Sequence, residues 1–80
     1  MTTEDIFSAI IGRATHGVML HEQMASYFNF LGLDKYRQWH ETEAHEELQR
    51  LFDIKRGYMD RHDKLVPEKR VDPPAAIPDT

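Results

Sequence analysis

Leu31-Gly32-Leu33-Asp34 decides the fold of this chain of 80 residues. Long stretches of helical periodicity flank it on both sides. Gly32 is the residue type that takes the left-handed backbone just past a helix C-terminus. Leu33 can supply the hydrophobic contact of a Schellman ending, and Asp34 is expected to cap the helix that follows. A connection this short returns the second helix antiparallel to the first.

Upstream of the turn, residues 3–31 read as one helix. Thr2 or Thr3 can cap it, and Glu4 and Asp5 place carboxylates in its first turn, where the helix dipole favours them. Phe7, Ile10, Ile11, Ala14, Gly17, Val18, Ala25, Phe28 and Leu31 recur at intervals of three and four, an amphipathic stripe that also takes in His21. Gly12 and Gly17 each weaken a helix by about 1 kcal/mol relative to alanine. Their expected return is the close approach of another backbone.

Downstream, residues 35–63 read as the second helix. One line carries Tyr36, His40, Glu43, Glu47, Leu51, Ile54 and Tyr58 at seam spacing. Trp39, Ala44, Leu48, Phe52 and Met59 lie beside it. The seam is apolar at both ends and polar in the middle. Residues 1–66 thus form a helical hairpin. From Pro67 the character changes: Pro67, Pro73, Pro74 and Pro78 cannot continue a helix, so residues 67–80 are expected to be an extended tail or linker, loosely packed or disordered.

The fold class is therefore all-α, an antiparallel two-helix hairpin. Two helices alone cannot cover Phe7, Ile11, Phe28, Trp39, Leu48, Phe52 and Tyr58, which are the residues expected to form an interface. Chains this small bury only about 60% of their unfolded surface, and the absence of cysteine removes disulfides as a staple. Completion of a four-helix bundle by homodimerisation, or docking on a protein partner, follows from that burial argument. The net charge of −4 gives no electrostatic footprint for direct nucleic-acid binding. No apolar run approaches the roughly 18 residues of a membrane span. The acidic Met1-Thr2-Thr3-Glu4-Asp5 is unlike a secretory n-region. A cytoplasmic setting is the expectation.

The polar centre of the seam has three readings, one of them that this line simply points to solvent in the assembly. His40, Glu43 and Glu47 share one face at i,i+3 and i,i+4, and His21 on the first helix is the candidate fourth member of a metal site for Fe or Zn, since imidazole and carboxylate suit both. The same residues can instead form a hydrogen-bonded polar layer that fixes helix register. Glu41 and His45 pair on another face, and His16 and His62 stand alone; all read as surface or partly buried side chains. Arg50 reads as a counter-charge for Glu46 or Glu47. No nucleophile elbow, phosphate-cradling glycine loop or cysteine nucleophile is present, so no cofactor is expected on the leading, non-enzymatic reading. Ferroxidase-like chemistry is the one enzymatic candidate.

Met24-Ala25-Ser26-Tyr27-Phe28, Gly32-Leu33, the pair Tyr36 and Trp39, and Glu43-Ala44-His45-Glu46-Glu47 together resemble the first helix pair of ferritin-like proteins, over roughly residues 14–57. The resemblance implies half of a four-helix bundle, with Glu47 at the bridging-glutamate position of a di-iron site. It also implies that the site is degenerate. Arg50 stands where the family has its histidine, Ala14 where the first-helix glutamate belongs, and His21 where a tyrosine is common. More distantly, the chain is similar to uncharacterised proteins encoded in prophages of low-GC Gram-positive bacteria, in which further helices follow the Pro-rich stretch. That similarity implies a phage setting and the N-terminal half of a longer protein, and it carries no assigned activity; in such a setting an acidic helical protein could block a host machine by occupying a basic surface.

Overall fold

In the computed structural model, which describes residues 1–77, α1 spans Thr3–Phe30 and α2 spans Asp34–His62. The two helices pack antiparallel along their whole length. Thr2 starts α1: its hydroxyl accepts from the Asp5 amide at 3.1 Å, and the Asp5 carboxylate accepts from the Thr2 amide at 3.0 Å, a reciprocal capping box. The Thr2 amide first, and then the Thr2 hydroxyl, favour the ionised carboxylate and hold Asp5 below the usual range.

The turn is a Schellman ending. Gly32 has φ 74°, the Leu33 amide donates to the Phe28 carbonyl at 2.9 Å, and the Gly32 amide donates to the Asn29 carbonyl at 3.1 Å. The cap of α2 differs from the expectation. Leu33 occupies the cap position with no side-chain bond, and Asp34 is already the first helical residue. Leu33 serves both helices at once, because its carbonyl accepts from the Arg37 amide at 3.0 Å. That sharing leaves no separate residue for a side-chain cap. Asp34 still lies in the first turn, 3.7 Å from Arg37, where its charge suits the dipole.

The core is narrow. Ile11, Ala14 and Leu51 meet between the helices, with Ile54 and Val66 packed against them. Tyr58, 2% exposed, closes the open end of the hairpin against the edge of Phe7 at 4.8 Å. At the turn end Phe28 lies against Tyr36 at 5.3 Å. Asp63 stops α2 in the left-handed region with φ 50°, a conformation that Asp adopts more readily than most residues.

Residues 63–77 are irregular, and they double back along α1. Val66 reaches the core, Lys55 pairs with Glu68 at 3.0 Å, and Gln23 Nε2 donates to the Ala75 carbonyl at 2.6 Å. The segment is thus seated on the hairpin rather than loosely attached; the expectation for Pro78 onward lies outside the described residues. The close approach expected at Gly12 and Gly17 is made by side chains, not by backbone. The Lys69 stem crosses Gly12 and Glu47 crosses Gly17.

These glycines give a test of the seated tail. A Cβ on Gly57 meets nothing within 4 Å, whereas one on Gly12 comes to 2.9 Å from Lys69 Cγ. Gly57→Ala is expected to gain about 1 kcal/mol, raising the melting temperature by about 4–8 °C. Gly12→Ala should gain clearly less in thermal unfolding, because Lys69 must move. Equal gains at the two positions would contradict the seating of the tail.

Candidate functional site

The middle of the seam faces α1, so the polar residues there have to satisfy one another. His21 Nδ1 and His40 Nδ1 are 3.0 Å apart, a hydrogen bond across the two helices in which one neutral ring donates and the other accepts. Aromatic rings surround the pair. Phe28 stacks on His40 at 5.4 Å and 13°, and Trp39 meets it edge-on at 4.8 Å. Trp39 also stands 6.0 Å from His21. His40 is consequently held below the ordinary imidazole pKa, first by desolvation and then by the neighbouring His21, with Glu43 pulling in the opposite direction.

The remaining members of the expected cluster do not join this pair. Glu47 lies over Gly17 and is paired with Arg50. The expected partner Glu46 is passed over, because Glu47 is the half-buried carboxylate and so the one that needs a counter-charge. Glu43 is half-buried beside His40. Among the described residues, no three His, Asp or Glu side chains are arranged to hold a metal ion. Two imidazoles are two ligands, and zinc takes four, at least three of them from protein in its usual sites. On the outer face, Asp53 pairs with Arg56 at 3.2 Å, an ordinary solvated pair.

The seven expected interface residues fall into two groups. Ile11 and Tyr58 are enclosed by the hairpin itself, and Phe7 and Phe28 are half-buried against Tyr58 and His40. Their surface is largely spent inside the chain. Trp39, Leu48 and Phe52 stay exposed, joined by Tyr36 and Met59. On α2, periodicity alone could not separate Tyr58 from Leu48 and Phe52, because the three lie within one broad apolar arc. His62 is packed between Tyr58 at 4.5 Å and Phe7 at 5.9 Å, with Nε2 enclosed and without a hydrogen-bond partner.

Beside the seam runs an open groove of about 500 Å³. Val18, Ala25 and Ala44 form its floor, and the Arg37–Glu41 ion pair stands on its rim. The floor offers apolar surface, and Glu22, Ser26 and His45 line the groove beside it. Such a groove can receive a side chain. No helix among the described residues is long and apolar enough to cross a membrane.

His40 makes stability depend on pH with a definite sign. The unfolded chain binds a proton at His40 near the ordinary value of about 6.5, whereas the folded chain resists it. The contribution is therefore complete above about pH 6.5 and is lost as pH falls toward the lowered folded value. Urea unfolding from about pH 7.5 to about pH 5.5 should show a falling midpoint for the wild type. His40→Gln, which keeps a hydrogen-bonding side chain opposite His21, should show a smaller fall. Equal falls would remove His40 as the source.

No family model matches the chain, and comparison with curated proteins and with solved structures likewise finds no match.

Proposed function

We propose that this chain is a small, non-enzymatic helical interaction protein that associates with itself, completing a four-helix bundle, and docks on a protein partner. The observation that supports this most directly is its surface. The chain exposes 6173 Å², whereas a compact monomer of 9.4 kDa would expose about 5,000 Å². The excess, about 1,100–1,200 Å² by the same relation, is of the size that a stable interface removes from water. It includes large apolar side chains in the open, Trp39 and Phe52 among them, each more than half exposed. Single exposed apolar residues need no explanation, but this many large ones on so small a chain do.

The net charge of −4 suits a basic partner surface. Occupying such a surface on a host machine is the form that the prophage resemblance lends to the proposal. Metal binding is the competing reading, and what favours it is the approach of His21 to His40. Fe²⁺ or Zn²⁺ held there would raise the melting temperature by mass action, and His40→Gln would remove the effect. The interaction reading expects no metal-dependent shift.

Light scattering at micromolar concentration tests the proposal. A mass above 9.4 kDa, near twice that value, is expected for the free protein. A stable monomer would end the self-association half.

A further inference from the structure

We infer that the self-association surface is a second seam on α1, paired antiparallel with the same seam of another copy. Ile6, Ile10, Arg13, Gly17, Leu20, Met24, Tyr27 and Leu31 alternate strictly at four and three over 26 residues, the repeat of a helix that packs in a supercoiled pair. Six of these eight positions are apolar. Gly17 apart, over which Glu47 of α2 lies, the seam does not face α2. Its aliphatic members Ile6, Ile10, Leu20 and Leu31 are 40–47% exposed, although the residues of α1 that pack on α2 are buried. It does not face the tail either. The tail crosses Gly12 and Gln23, and those positions lie roughly a third of a turn around the helix from the seam. α1 is also the more apolar of the two helices by a wide margin. A helix apolar on two sides is covered on two sides.

The occupant that fits is a second copy, because the seam is complementary to its own reverse. Turned end for end about a two-fold axis between Gly17 and Leu20, it sets Ile6 against Leu31, Ile10 against Tyr27, Arg13 against Met24, and Gly17 against Leu20. Each contact thus occurs twice, as an isologous interface requires. Charge agrees with the register. Arg13 is the one cation of α1 and has no ion pair among the described residues. In this pairing it arrives beside Trp39 and Glu43 of the second copy, an exposed indole and a carboxylate that is also without an ion pair among the described residues. Trp39 already borders the seam through its contact with His21 at 6.0 Å. Within one chain the two charges are apart along the bundle, since Glu47 rather than Glu43 lies near Gly17. The excess surface, about 1,100–1,200 Å² per copy, covers what one side of a standard interface needs, about 800 Å².

This assignment rests on the self-association proposed above, and the test separates the two. Leu20→Glu alters the centre of the α1 seam, and Phe52→Glu alters the exposed face of α2. Sedimentation of the full chain should find the wild type and Phe52→Glu as dimers. Leu20→Glu should be a folded monomer by circular dichroism, with association weakened at least about tenfold, a change of about 1.4 kcal/mol. A monomeric wild type overturns both proposals. A dimeric Leu20→Glu, or a monomeric Phe52→Glu, overturns the seam and leaves self-association standing. Should Leu20→Glu fail to fold, the cysteine-free chain offers a second measurement. Ile6→Cys mixed with Leu31→Cys should give a disulfide between unlike chains, with little between like chains. Crosslinking of like chains would overturn the antiparallel register.

Discussion

The packing of Ile11, Ala14 and Leu51 between α1 and α2, closed from the tail by Val66, is what the hairpin stands on. It is a thin core. The seven buried apolar residues include Ala14, Ala25 and Ala44, which bring the helix axes together but remove little apolar surface from water. The bulky side chains sit further out. Phe30, Tyr36, Trp39 and Phe52 are all exposed. The hairpin is a single layer, 46 × 21 × 15 Å, with a radius of gyration of 15.1 Å against about 12 Å for a compact domain of this length. Stable helical domains stack layers. The missing second layer is the constraint from which the proposed association follows.

The polar centre serves the thin core in a particular way. Where Ile or Leu pairs would have allowed the helices to slide, His21 and His40 make one directional bond, and a shift of one turn would break it. Glu47 crosses Gly17 at the same level and is neutralised by Arg50. Buried polar groups in helical seams are best attested as devices for register, and this pair has the geometry for it. The aromatic walls of Phe28 and Trp39 keep the His40 imidazole poorly hydrated, which links that bond to pH.

Much of the hairpin was legible before the structure, for local reasons. Gly32 marked the turn because few other residues accept φ 74° there. The α2 line through His40, Glu47, Leu51 and Tyr58 was legible because seam spacing places residues on one face. His21 belonged to the matching stripe of α1, and the two histidines do meet. Three features were hidden. The sharing of Leu33 between a helix end and a helix start depends on the geometry of the Schellman turn, which displaced the cap expected at Asp34. The path of the tail over Gly12 rests on contacts far apart in sequence, with no periodic signal. The third concerned α1 itself. Its apolar residues were gathered into a single stripe, although they belong to two seams, one through Ile11, Ala14 and Val18 and another through Ile10, Leu20 and Leu31. Counting the strict four-three alternation from Ile6 would have separated them.

The central claim is that this hairpin is stable as part of an assembly with itself. Concentration dependence of the thermal midpoint tests that most directly, because a fold coupled to association gains stability by mass action. Over a range of about 100-fold in protein concentration, the account predicts a midpoint that rises by several degrees. A midpoint that stays the same across that range, with the chain fully folded at the lowest concentration, would contradict it.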